Sequence, residues 1–161
     1  MEKKYILIDE SIECFGHTLY RIRALRDFGA VKAGNLGGFI QTESNLSHDG
    51  NCWVYGNAWV SGNAQVYGDA SVSGNAKVYG NAWVSGNALI NFNIKKNADF
   101  VIFGFFGDAN RSITISTKQD IINCGCFSGT LEQFKQAVDL KYKGEGNYYT
   151  AIKMIEAVWK K

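Results

Sequence analysis

Two histidines, His17 and His48, are the candidates for a general base in this chain. His17 falls at a turn, beside Gly16. His48 falls in an irregular stretch, and no Asp or Glu is spaced to orient it recognisably. The four cysteines Cys14, Cys52, Cys124 and Cys126 match neither a zinc ribbon nor a CxxC redox pair. Cys124-Gly125-Cys126 can be read as metal ligands, as a redox pair, or as two structural thiols on alternate positions of a strand, and the last is favoured. Ser128-Gly129-Thr130 precedes a helix and can hold an anion such as phosphate, with Arg111 from the preceding hairpin adding charge. Helix capping accounts for the same residues and is preferred. Arg21 and Arg23 share one face of a strand, as a solvated face or a basic recognition patch. No Walker-type glycine pattern occurs, and neither a cofactor nor a metal site is expected.

The elements that must position these residues are dominated by one repeat. Glycine recurs at 50, 56, 62, 68, 74, 80 and 86, each followed by Asn or Asp. Small residues come next, Cys52 and then Ala58 to Ala88, and two residues later an aliphatic, Val54 to Ile90. The unit Gly-Asn-Ala-x-Val-x has a mechanical meaning. Val points inward between two outward neighbours, Ala fits a narrow corner, and Gly-Asn makes the bend. This pattern resembles the hexapeptide-repeat fold, a left-handed triangular β-helix in which three hexads make a coil of eighteen residues. Ile40 to Asp49 reads as a degenerate coil with Ser44-Asn45-Leu46 in the Gly-Asn-Ala positions, which puts His48 where the inward Val belongs. Phe92 breaks the pattern at the other end. The flanks are the natural caps for the two exposed edges.

The outward positions alternate after each Val: Tyr55, Ser61, Tyr67, Ser73, Tyr79, Ser85. With an eighteen-residue coil, a Tyr stacks on a Ser along every face. Before each Val lie Trp53, Trp59, Gln65, Ser71, Lys77 and Trp83. The Trp residues are expected at an interface, covered by this chain, by sister subunits or by a foreign partner. The resemblance implies a homotrimer packed through a flat face of the helix.

The overall reading is a mainly β protein: an N-terminal β-hairpin cap over 1–37, a short left-handed β-helix over 38–98, and a small β-β-β-α-α domain over 99–161. The last has strands near 99–106, 111–117 and 121–127. A first helix carries the stripe Leu131, Phe134, Val138 and Leu140, and a second, about 147–159, carries Tyr148, Ile152, Ile155 and Trp159. With 17 Lys+Arg against 15 Asp+Glu, the charge balance recruits neither nucleic acid nor an anionic membrane. Met1 to Glu10 does not read as a secretion signal, and no run is long enough for a membrane span, so a cytoplasmic protein is expected.

The leader Leu19 to Phe28, with Gly37-Gly38-Phe39-Ile40, the first hexads and Cys124 to Glu132, resembles uncharacterised phage and prophage proteins. Hexapeptide-repeat acyltransferases place a His between subunits as general base beside a groove for acyl-CoA, a role only His48 fits here. Because nothing visibly orients His48 and no long loop interrupts the hexads, the preferred reading is non-catalytic. It is an oligomeric scaffold of phage origin that inhibits host antiviral defence, by blocking a host protein or sequestering a small nucleotide. Acyl transfer from acyl-CoA and a virion or assembly component are the alternatives.

Overall fold

A valine at every sixth residue fixes the path of the chain. In the computed structural model, which describes residues 2–106 and 111–158, seven two-residue strands follow one another: β4 (Trp53–Val54), β5 (Trp59–Val60), β6 (Gln65–Val66), β7 (Ser71–Val72), β8 (Lys77–Val78), β9 (Trp83–Val84) and β10 (Leu89–Ile90). They pair in parallel, each with the strand one coil away: Val54 with Val72 and Val72 with Ile90, Val60 with Val78, Val66 with Val84. Three sheets therefore stand around one axis. Every inward Val and every corner Ala from 58 to 88 is buried, and the corner glycines from Gly50 to Gly86 all take positive φ.

The N-terminal strands β1 (Tyr5–Cys14), β2 (His17–Ala24) and β3 (Leu36–Ile40) extend one of these sheets. The first two form an antiparallel hairpin, β3 pairs antiparallel with β2, and its other edge pairs in parallel with β5, giving the order β1-β2-β3-β5-β8. The coil changes length at both ends. Leu46 bridges to Val66 rather than to Ala64, so the corner between Leu46 and Val54 holds two extra residues. Ile94 bridges to Val78, sixteen residues away, so the last corner is two residues short and buries Phe92. His48 lies in the enlarged corner, and Leu46, fully buried, takes the inward position expected for His48.

Side-chain amides serve the open edges. Asn45 Nδ2 donates to the carbonyls of Gly62 and Ala64, and Gln41 Oε1 accepts from the Gly62 amide. At the far end Asn93 Oδ1 accepts from Lys77 and Asn97 Oδ1 from Trp83. These groups satisfy backbone that a further coil would have bonded.

The chain divides into two compact units, Met1–Asn97 and Ala98–Lys161. The second is a four-stranded antiparallel sheet, β11 (Phe100–Phe106), β12 (Arg111–Ser116), β13 (Ile122–Cys124) and β14 (Phe127–Gly129), followed by α1 (Leu131–Tyr142) and α2 (Tyr148–Val158). Ile113, Ile115, Ile122 and Cys124 form its core with Phe134, Val138, Tyr148, Ala151, Ile152 and Ile155. Leu140 is 82% exposed and does not belong to the α1 stripe; the buried face runs through Phe134 and Val138. Trp159 lies outside the described residues. The expected third strand is instead a hairpin turning at Gly125-Cys126, so Cys124 is buried and Cys126 exposed rather than alternating along one strand. Among the described residues no helix is long and apolar enough to cross a membrane.

Candidate functional site

The leader covers two faces of the coil stack and leaves the third bare. Over the face of β4, Trp53 is 1% exposed, with Tyr5 and Phe28 edge-on at 6.0 and 5.2 Å. Over the face of β5, Trp59 is 5% exposed, packed with Leu19 and Phe39 and capped by the rings of Phe15 and Tyr79. Of the three outward Trp expected at an interface, two, Trp53 and Trp59, are covered by this chain's own N-terminal segment. On the β6–β9 face Trp83 is 54% exposed, and Gln65 and Tyr67 are exposed beside it.

That bare face carries a cavity of about 360 Å³ walled by Glu43, Ser47, His48, Gln65, Tyr67 and Trp83. A short 3-10 turn, Glu43–Asn45, presents Glu43, and the enlarged corner presents His48. His48 Nδ1 accepts the Lys4 backbone N–H at 3.1 Å, and its ring stacks on Tyr5 with centroids 4.2 Å apart. The lone pair of Nδ1 is thereby occupied, so the neutral ring carries its proton on Nε2. Nε2 is buried, lies 3.7 Å from Glu43 Oε2 and has no hydrogen-bond partner. Glu43 is thus the acid spaced near His48 that the sequence did not reveal, because the five-residue separation becomes a contact only through the 3-10 turn. Glu43 Oε1 also meets Lys3 Nζ at 2.7 Å, and this hydrogen bond holds the carboxyl below the usual range. Next to this corner Lys4 is wholly buried, its ammonium donating to the Cys52 carbonyl at 2.9 Å.

The other sequence candidates are dispersed. Arg21 is used internally: Nη1 donates to the Gly37 carbonyl at 2.7 Å, the guanidinium lies over Phe39, and Nε forms an ion pair with Glu10 at 2.7 Å without hydrogen-bond alignment. Arg23 is exposed, so the two arginines form no common patch. His17 is exposed, and its Nδ1 accepts from Gln41 Nε2 at 3.3 Å, an orientation fixed by the Gly62 contact of Gln41 Oε1. At the α1 N-terminus, Thr130 Oγ1 accepts from Gln133 N and Gln133 Oε1 accepts from Thr130 N. Asp120 Oδ1 takes the Leu131 N–H at 3.1 Å, so a carboxylate of the chain occupies the place proposed for phosphate. Ser128 pairs with Asn123, whereas Arg111 lies against the Gly125 turn at the other end of that hairpin. The capping preferred for this turn is what the structure shows, and the alternative anion site of Ser128, Thr130 and Arg111 is not assembled.

No family model matches the chain. Over 37 residues it is 49% identical to a protein of Escherichia coli (strain K12) described as "Uncharacterized acetyltransferase YdcK". The match covers 23% of this chain and spans 11% of the relative's length. The likeness supports the hexapeptide-repeat reading of the coils. It also overturns the preferred non-catalytic reading: the relative is named as an acetyltransferase, which favours acyl transfer over a phage-derived inhibitor of host defence.

Proposed function

We propose that the chain is an acyl-transfer protein of the hexapeptide-repeat kind, its coils wound left-handed and its bare third face binding the acyl donor. The observation that carries this is the 37-residue likeness to a protein named as an acetyltransferase. The cavity supports it in two ways. Tyr67 and Trp83 offer flat apolar walls to the arm of a thioester such as acetyl-CoA, and Ser47 and Gln65 offer hydrogen bonds to its amides. In the arrangement seen, His48 has no lone pair free for a substrate, so the proton acceptor is the Glu43 carboxylate, held through its other oxygen by Lys3. An acceptor amine or hydroxyl attacks the thioester carbonyl, its proton passes to Glu43, the C–S bond breaks, and the departing sulfur takes the proton up.

The test is free-thiol release from acetyl-CoA by the purified chain with a panel of amine and hydroxyl acceptors. Release above the blank is expected, with loss in Glu43→Gln and in Trp83→Ala. No release with any acceptor, together with no thermal stabilisation by about 1 mM coenzyme A, would sink the reading.

A further inference from the structure

The C-terminal unit has a cavity of its own, of about 80 Å³. On α1 the residues Phe134, Val138, Lys141 and Tyr142 recur at steps of four, three and one, so they share one face of the helix and line this space. Tyr148 closes it, with ring centroids 5.0 Å from Tyr142 and 6.2 Å from Phe134. Arg111, the first residue of β12, also lines it. Its guanidinium lies so close along the Gly125 turn that a Cβ at position 125 would stand 2.8 Å from Nη1. Gly125 takes a φ of 59°, the left-handed conformation that favours glycine.

The charge on this cavity is one-sided. Arg111 and Lys141 line it, and none of its lining residues is acidic. Among the described residues neither cation has a carboxylate within 4 Å. Burial pushes the Cys124 thiol and the Tyr148 phenol above their ordinary values, so neither supplies negative charge. We infer that this cavity binds a small monocarboxylate with an apolar body, the carboxylate on the Arg111 fork and Lys141, the body against Tyr142 and Tyr148. The planar guanidinium matches a carboxylate two-point, and the rings give the ligand a reason to be more than a bare anion. This site is independent of acyl transfer on the coil stack.

The experiment titrates the whole chain with sodium benzoate, benzamide and inorganic phosphate, following backbone amide shifts by NMR. Benzoate should give saturable shifts around residues 124–126 and 141–148, with benzamide and phosphate each roughly tenfold weaker or worse. Arg111→Gln should weaken benzoate about tenfold, and Lys141→Gln, at an exposed position that folding does not depend on, about threefold. Leu140→Ala, on the outer face of α1, should change nothing. Benzamide or phosphate binding as well as benzoate, unchanged affinity in both charge variants, or no saturable shift at about 10 mM benzoate would each overturn the inference.

Discussion

The Lys4 ammonium lies 2.9 Å from the Cys52 carbonyl oxygen and 3.3 Å from the Cys52 thiol, a buried cation held by peptide oxygens rather than by a carboxylate. The carbonyls of Gly50 and Asp49 stand at 3.3 and 3.5 Å, and the ring of Phe28 lies beneath. All three carbonyls lie between Leu46 and Val54, beside β4, which is the edge strand of its sheet and has no earlier strand to bond them. Lys4→Met keeps the stem and removes the donor. Its urea midpoint should fall by the equivalent of about 2–4 kcal/mol. A loss below about 1 kcal/mol would mean that water replaces the ammonium, and the clasp would not be what holds the corner.

The same burial sets a pH dependence. Burial raises Cys52 and Cys124 above 9.0 and Tyr5 and Tyr148 above 10.0. Each keeps its proton in the folded state after the unfolded chain has released it, so the stability it contributes is intact below those values and is lost as pH rises. Lys4 is shifted the opposite way, lowered from 10.5 chiefly by burial, and its contribution rises with pH in that upper window. Tyr55, Tyr149 and Lys135 are raised as well, and among the described residues Lys4 is the one group lowered in this range. The urea midpoint should decline from about pH 9 upward, and a flat or rising midpoint would refute the assignment.

Much of this fold was legible because one residue type per hexad carries one mechanical task. Gly-Asn-Ala-x-Val-x gave the strand-and-corner unit, its resemblance to the hexapeptide-repeat fold implied a coil of eighteen residues, and the pairing of Val54 with Val72 and of Val72 with Ile90 follows it. The end corners were not legible. Leu46 and His48 are both acceptable at an inward position by size and polarity at a degenerate coil, and only the bridge to Val66 decides for Leu46. The contact of Glu43 with His48 needs a 3-10 turn that no strong cap signal announced. Asp120 filling the α1 N-terminus was hidden for a different reason, since it reaches Leu131 from across the hairpin.

Asp120→Ala tests that last contact. Removing the carboxylate leaves the Leu131 N–H without its partner and the positive end of α1 without its anion. The cost should be about 1 kcal/mol by denaturant titration. An unchanged midpoint would show that the Thr130–Gln133 box caps the helix without help.

Two corner glycines separate backbone strain from crowding. Gly50 and Gly74 have φ of 66° and 65°, so alanine pays the same conformational penalty at both. A Cβ at Gly74 meets nothing within 4 Å, whereas one at Gly50 collides with the carbonyl oxygen of Gly68 on the next coil. Gly74→Ala should cost about 1–2 kcal/mol and Gly50→Ala about 3 kcal/mol or more. Equal losses would mean that the coils can part at that corner to admit a methyl group.

The hexads around Trp59 and Trp83 are identical in sequence, Gly-Asn-Ala-Trp-Val-Ser, yet Trp59 is 5% exposed and Trp83 54%. No property of the repeat distinguishes them. The difference comes from Phe15, Leu19 and Phe39, which lie over Trp59 and have no counterpart on the β6–β9 face. Trp59→Ala opens a cavity under the hairpin and should cost about 3–5 kcal/mol, while Trp83→Ala removes surface that solvent already reaches and should cost less than about 1 kcal/mol. Paired denaturant titrations decide it. Equal costs would mean that Trp83 is covered in solution, by a sister subunit on the bare face. Size exclusion of Trp83→Ala against the unaltered chain would then show a smaller assembly for the variant.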